Sequence, residues 1–352
     1  MTQRKKTYKT KRYLVLILIL IALAGLWKLY TTYEKVYEPN VNLQNHSSRY
    51  LYIPSGSEFN DVIKILNKEN IIEDTESFKW LAQKKNYPNH VYPGRYLIKD
   101  QMSNNEIINL LRSGEQAPVD LIFNNIRTKK ELASVVSNQI EADSAKLVHL
   151  LNNRAYLEKY EFTPQTALAM CIPNTYQIYW NRSAEEFIQR MHREYQKFWS
   201  KEKLQKARKV NMQPVEIITL ASIVDEETMR NDEMEKIAGV YINRLEKGMR
   251  LQADPTIKFA LKDFTIKRVL KKHLSVDSPY NTYKNAGLPP GPISIPSIAA
   301  INSVLNHEHH NYLYFCAKPD FSGYHNFSST HYQHMLNAAK YQKALNKNSI
   351  LK

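Results

Sequence analysis

Cysteine is scarce. Only Cys171 and Cys316 occur in 352 residues, which leaves room for at most one bridge in an oxidising compartment. Both lie in apolar contexts, Ala167-Leu-Ala-Met-Cys-Ile and Tyr312-Leu-Tyr-Phe-Cys-Ala, and two buried thiols suit those contexts equally well. Metal-ligand spacing is missing. His307, His309 and His310 cluster before a strand without the helical spacing of a zinc protease, so the sequence calls for no metal and no other cofactor. Zinc-finger, RNP and Walker patterns are missing too, and nothing selects nucleic acid as a partner. Internal repeats and low-complexity tracts are likewise absent.

The first twelve residues hold no acid but carry Arg4, Lys5, Lys6, Lys9, Lys11 and Arg12, and charge is then absent from Tyr13 to Trp27. A basic flank ahead of an apolar run of Leu, Ile and Val predicts a cytoplasmic stub over 1–12 and a membrane anchor over 13–30, with Lys28 snorkelling and Leu29 to Tyr33 extending a short span. The rival is a cleaved signal peptide, because Ala22-Leu23-Ala24 imitates a cleavage site. Either way the remaining chain lies outside the cytoplasm, which also argues against nucleic acid. Of the formal charge of +15, the stub supplies six, leaving +9. Such a surface suits anionic headgroups or an acidic wall polymer, or is simply solvated lysine.

With 43% hydrophobic and 24% charged residues the chain has enough apolar material for two domains with a substantial core. The predicted fold class is α+β. Residues 31–48 read as a linker. A strand Arg49–Ile53, a helix Glu58–Asn67 capped by Ser57, a helix Thr75–Lys84 and a strand Tyr92–Ile98 follow, then the capping box Ser103–Glu106 opening a helix that ends at Gly114. That strand, helix, helix, strand order over 49–116 resembles a LysM-like module, although a plain spacer fits the pattern too. From 117 to 345 the pattern is mainly helical, with short strands at Val119–Phe123, Tyr312–Cys316 and His325–Phe327. Ser183–Glu186 is a further capping box, and Pro214 opens the helix that carries the most informative stretch.

That stretch is Leu220-Ala-Ser-Ile-Val-Asp-Glu-Glu227. At about 100° per residue, Ile217, Leu220, Ala221, Ile223 and Val224 form one apolar sector, and Glu227 falls about 20° from Leu220, inside it. Glu226 points the other way, beside Thr219 and Ser222, and Asp225 lies at the sector's edge near Ile218. A carboxyl held against aliphatic side chains loses hydration of its charged form, keeps its proton near neutral pH and so suits general acid work. The plainer reading is a helix-end glutamate paired with Arg244 or Arg250.

Further motifs follow in order: Ala238-Gly-Val-Tyr-Ile-Asn243-Arg244-Leu, Gly248-Met-Arg-Leu-Gln252-Ala-Asp254-Pro-Thr256, Ser278-Pro-Tyr280-Asn281-Thr282-Tyr283 and Gly287-Leu288-Pro289-Pro-Gly291-Pro-Ile. With the Glu227 stretch they make the chain resemble the MltG (YceG-like) family of endolytic murein transglycosylases over nearly its whole length. Two positions depart from the family pattern. Asp225 stands where relatives commonly have Glu, which favours Glu227 as the proton-transfer residue. Asn174 stands where they have Asp, which leaves any charged role there in doubt.

The resemblance implies cleavage of the MurNAc–GlcNAc bond within nascent strands by an intramolecular attack that leaves a 1,6-anhydro end, so one carboxyl, Glu227, does the work of two. It also implies peptidoglycan as substrate, a module over 49–116 lying against the glycan, and membrane-bound glycan polymerases and transpeptidases as partners. Asn243, Arg244, Gln252, Tyr280, Asn281, Thr282 and Tyr283 are the expected hydrogen-bonding and aromatic surface for a sugar. Leu288 and Pro289 belong to a rigid loop that is either a groove wall or plain structure. Asp254 is either a turn residue or a second acid, and His325 either closes the cleft or sits satisfied in the core. A binding scaffold without activity and a two-carboxylate hydrolase remain the alternatives.

Overall fold

The computed structural model describes residues 2–44 and 46–347. The chain divides into two units, one of residues 1–119 with 178–181, the other of residues 120–177 with 182–352.

The first unit begins with α1 (Thr2–Tyr37). From Lys11 to Tyr37 it is long and apolar enough to cross a membrane, and its most apolar stretch is not covered by protein. Twenty-seven residues at a rise of about 1.5 Å give about 40 Å, more than a hydrocarbon core of about 30 Å. The linker expected over 31–48 is therefore helical as far as Tyr37, where the Thr31 and Thr32 hydroxyls return to the Lys28 carbonyl. The segment beyond is not loose either. Val41 and Leu43 are buried, and Asn40 exchanges hydrogen bonds with Asp74 and Asn104, so short apolar residues in an aperiodic segment serve as core.

Strand β1 (Ser48–Ile53) leads to α2 (Phe59–Lys68), α3 (Thr75–Lys84), β2 (Gly94–Lys99) and α4 (Asn104–Ser113). β1 and β2 pair antiparallel, Tyr52 opposite Arg95 and Ser48 opposite Lys99. Period-2 alternation turns Leu51, Ile53, Tyr96 and Ile98 inward onto the helices. Glu58, rather than Ser57, caps α2 through a reciprocal pair with Asp61, because a carboxylate at that position reaches the free amides of the first turn. Ser103 and Gly114 cap the two ends of α4 as the sequence predicts, and Asp74 caps the start of α3.

The second unit holds β3 (Val119–Ile122), α5 (Lys129–Ser137), α6 (Ser144–Asn152), α7 (Arg154–Leu157), β4 (Thr175–Ile178), α8 (Ala184–Phe198), α9 (Lys201–Lys209), α10 (Pro214–Glu227), α11 (Asn231–Glu246), α12 (Asp254–Leu261), α13 (Ile298–Leu305), β5 (Tyr314–Ala317), β6 (His325–Ser328) and α14 (His331–Lys347). β3 pairs with β4, and β5 with β6. Cys171 and Cys316 are free thiols, the first buried and the second half-buried.

Helix α10 is the centre of this unit, packed by α9, α11, α12 and α13. The polar flank expected at Thr219 and Ser222 does not face solvent: every residue from Ile217 to Val224 is buried. Their hydroxyls are satisfied locally, Thr219 donating to the Val215 carbonyl and Ser222 to the Thr219 carbonyl, while Ser222 accepts from the Ile293 amide. A small hydroxyl residue that bonds back to its own helix can be buried at little cost.

The loop from Gly287 to Pro292 is fastened by close approach. A Cβ on Gly291 would sit 2.1 Å from the Gln165 carbonyl oxygen, a backbone atom that cannot rotate away. Gly291→Ala is expected to destabilise the protein by about 1–3 kcal/mol, as overpacking does, and thermal unfolding checks it. An unchanged midpoint would mean the loop is not held there.

Candidate active site

Three consecutive acids end α10, and because each is turned about 100° from the last they meet three different environments. Asp225 accepts from the Ser297 amide and hydroxyl, fixing the N-terminus of α13. Glu226 pairs with Arg127 through both carboxylate oxygens, at 3.0 and 2.9 Å. Glu227 faces a different cavity, where it makes no ion pair among the described residues and pairs with neither Arg244 nor Arg250. Its one side-chain partner among them is the Tyr241 hydroxyl, which donates to Oε1 at 2.8 Å.

That cavity, about 390 Å3, is lined by Glu227, Tyr241, Arg244, Gln252, Asp254, Tyr283, Tyr314, Phe315, His331 and His334. Tyr241 and Arg244 share a face of α11, three residues apart. Arg244 is buried, donates to the Leu251 carbonyl at 2.6 Å and to Gln252 Oε1 at 2.9 Å, and lies over the Tyr314 ring. It thereby positions the segment leading into α12, where Gln252 adopts a left-handed backbone with φ 54°. At the start of α12, Asp254 accepts from the Tyr283 hydroxyl at 2.5 Å.

Burial is the main force on the Glu227 carboxyl and pushes its pKa up to about 7; the nearby Asp254 charge adds to the rise, while the Tyr241 hydrogen bond and Lys258 oppose it. The Tyr241 phenol is pushed well up by burial and by the Glu227 charge. Tyr283 is raised by burial and by Asp254. Both phenols therefore remain donors at any physiological pH.

Of the residues predicted to meet substrate, the fold brings Arg244, Gln252, Asp254 and Tyr283 into one cavity with Glu227. Asn243 lies outside it. One step along α11 from Arg244, it turns to a separate cavity with His307 and His309, where it donates to the His310 and Tyr312 carbonyls. Asn281 and Thr282 are buried scaffolding: Asn281 holds the Leu274 and Val276 carbonyls, and Thr282 accepts from the Ala253 amide and bonds the Thr256 hydroxyl. Tyr280 packs on Phe259 with ring centroids 4.7 Å apart. Leu288 and Pro289 line no part of the cavity, their loop being tied to Gln165 through Gly291. His325 binds Glu233 through its ring nitrogen at 2.9 Å and its amide at 3.0 Å, behind Phe315. Among the described residues Asn174 only accepts from the neighbouring Thr175 amide. Among the described residues no group of three or more His, Cys, Asp or Glu is placed to hold a metal.

Sequence reasoning missed Tyr241, Tyr314, Phe315, His331 and His334. Tyr241 was findable, because it lies one turn before Arg244 on the same helical face. His331 and His334 share the same spacing on α14, but nothing local shows that this helix packs on β5 and so reaches the cavity.

The raised pKa carries a stability consequence. Folded Glu227 holds its proton up to about pH 7 against a reference of 4.5, so its contribution is fully present below 4.5 and is lost as pH rises through 7. Glu227→Gln removes that loss. The variant is expected to gain stability on the parent between pH 4.5 and 7, by at most about 3 kcal/mol, and to hold that gain above it. Denaturant titration across the range checks this, and a pH-independent difference would show that the carboxyl is ordinarily hydrated.

A family model described as the YceG-like family matches residues 51–340. An endolytic murein transglycosylase of Bacillus subtilis is 30% identical over 287 residues, covering 76% of this chain and 78% of that protein. One of Streptococcus pneumoniae is 26% identical over 349 residues, and the match spans 87% of this chain and 61% of the pneumococcal length. The crystal structure of a YceG-like protein from Listeria monocytogenes aligns with a TM-score of 0.56 at 28% identity, covering 82% of this chain and 98% of that one. With the order of motifs around Glu227 carried through to the fold, the chain belongs to the YceG-like family.

Proposed function

We infer that the chain is a lytic transglycosylase of peptidoglycan and that Glu227 transfers the proton in both halves of the reaction. The observation that carries the catalytic assignment is the Glu227 carboxyl, without an ion pair among the described residues and pushed up to about 7 chiefly by burial, in the cavity beside Tyr241. Protonated Glu227 gives its proton to the oxygen leaving MurNAc C1, and the C1–O bond breaks with its electron pair going to that oxygen. The substrate's acetamido group stabilises the positive C1. The Glu227 carboxylate then takes the proton of the MurNAc C6 hydroxyl as O6 bonds to C1, closing the 1,6-anhydro ring and restoring the acid. Tyr241 occupies Oε1, which leaves Oε2 for the transfers. Arg244, Gln252 and the Tyr283–Asp254 pair supply donors and acceptors to the sugar.

Asp254 lines the same cavity, and that favours one second reading, a two-carboxylate hydrolase. Its Oδ1 is already engaged by Tyr283. Product mass decides: anhydro ends are lighter by one water than reducing ends, and unchanged sacculi would mean a scaffold without activity.

The topology proposed with this chemistry has residues 1–12 in the cytoplasm, a span over 13–30 continued by the rest of α1, a LysM-like module over 49–116 and a catalytic domain over 117–345 outside the inner membrane. The basic flank and the β-α-α-β order support it. Confined near the membrane, the enzyme would cut nascent strands internally and end polymerisation, beside membrane-bound polymerases and transpeptidases.

Glu227→Gln is expected to cut anhydro-product formation by about a thousandfold, since it keeps shape and loses the transferable proton. In the parent, kcat/KM should fall as pH rises through about 7. Glu226→Gln should leave the rate unchanged and cost at most about 1 kcal/mol, the worth of a partly exposed ion pair. Equal loss of rate in both variants would sink the assignment. Deleting the gene should lengthen glycan strands measured by chromatography; unchanged length would remove the terminator role and leave the chemistry standing.

A further inference from the structure

The groups that carry the chemistry do not decide which sugar stands over Glu227. The two sugars of the strand alternate, and both have an acetamido group and a C6 hydroxyl. What separates MurNAc from GlcNAc is the lactyl ether at C3, which ends in a carbonyl whether it is a free carboxylate or is joined to a stem peptide. MurNAc C1 comes to Glu227 in every productive complex only if a group in the cavity reads that carbonyl. A neutral donor suits the task, because it holds an oxygen without offering a second acid.

Helix α14 supplies such a donor. It packs on β5 and β6 and brings His331 and His334 to the cavity. His334 is half-buried, and its ring stacks on Tyr314 with centroids 5.2 Å apart at 23°. Arg244 lies over the same Tyr314 ring, 5.3 Å from its centroid. Tyr314 thus fixes the plane of the imidazole in advance, which lowers the entropic cost of binding. His334 Nδ1 is enclosed and has no hydrogen-bond partner among the described residues. A buried N–H without an acceptor is less tolerable than a buried lone pair without a donor, so the ring proton belongs on Nε2. Nε2–H is then the polar edge left to the cavity that His334 lines. Burial, helped by the charges of His331 and Arg244, lowers the His334 pKa, so the ring is neutral where Glu227 works.

We propose that His334 is a specificity-determining residue: its Nε2–H donates to the lactyl carbonyl oxygen of the MurNAc whose C1 stands beside Glu227, and so sets the register of the strand in the cavity. This rests on peptidoglycan being the substrate and on Glu227 marking the bond that is cut. GlcNAc in the same place has only a C3 hydroxyl in the position of the lactyl ether, and leaves the His334 donor without its acceptor. No step is added to the chemistry. The hydrogen bond serves a transglycosylase and a hydrolase alike, provided that each cuts at MurNAc C1.

The test uses the full chain in detergent. Soluble, uncrosslinked peptidoglycan strands give KM and kcat, and chitooligosaccharides, which share the backbone and acetamido groups but have no lactyl ether, serve as competing ligands. His334→Ala is expected to raise KM about tenfold, as loss of one hydrogen bond to substrate does, with kcat within about twofold of the parent and the unfolding midpoint retained. His334→Gln places an amide N–H where Nε2–H stands and is expected to restore KM. His334→Asn places its amide at the Nδ1 position and is expected to behave as the alanine variant. Inhibition by chitooligosaccharides should be equal in the parent and His334→Ala. An unchanged KM, a loss confined to kcat, rescue by Asn as complete as by Gln, or chitooligosaccharide binding weakened as much as strand binding each overturns the assignment. The same substitutions made on Glu227→Gln, with the affinity for uncut strands as readout, separate this from the reaction type. A parent that releases reducing ends, or no ends, would sink the transglycosylase reading, while His334 stands or falls on affinity alone.

Discussion

Desolvation of one carboxyl organises the catalytic unit. An ionised glutamate drawn out of bulk water without an ion pair is unfavourable unless it takes up a proton. Glu227 is put there by a helix buried on every side from Ile217 to Val224, and that burial rests on α11, α12 and α13 closing around it. Asp225 fixes α13 and Glu226 pairs with Arg127, so the two acids beside Glu227 are engaged by partners of their own, and Glu227 is the acid of the three that opens on the Tyr241 cavity.

Much of this was legible in the sequence because it depends on local geometry. The wheel position of Glu227, the outward turn of Glu226 and the helix caps at Ser103 and Ser183 all follow from helical periodicity and from unsatisfied amides at a helix start. The same reasoning fails where a polar side chain is buried to serve the backbone. Asn281 and Thr282 sit in a motif rich in hydrogen-bonding groups, and nothing in it says whether those groups meet a sugar or a carbonyl. In the fold they meet carbonyls and an amide. Asn243 and Arg244 show the limit most sharply: adjacent on α11, they serve opposite sides of it, and only the placement of α12 and of the segment before β5 decides which side holds the acid.

Those buried polar residues still bear on the chemistry through position. Thr282 bonds both the Ala253 amide and the Thr256 hydroxyl, and Arg244 bonds the Leu251 carbonyl and Gln252. Between them they clamp the turn that presents Gln252 and Asp254 to the cavity. Substituting Thr282 would move Asp254, and through it the charge that helps raise Glu227. A motif residue can thus govern a proton-transfer group without touching substrate.

A single carboxyl that must give a proton and then take one back works best when neither form is strongly preferred near working pH. Two opposed influences hold Glu227 at that balance. Burial and the Asp254 charge favour the acid, and the Tyr241 hydrogen bond favours the carboxylate. Tyr241 can play this part only because its own phenol is pushed far from ionising by the same burial, so it stays a donor through both steps. Removing the Tyr241 hydrogen bond would shift Glu227 toward the acid, and neutralising Asp254 would shift it toward the carboxylate. In the proposed reaction Asp254, engaged by Tyr283, acts on Glu227 through its charge rather than as a nucleophile or base.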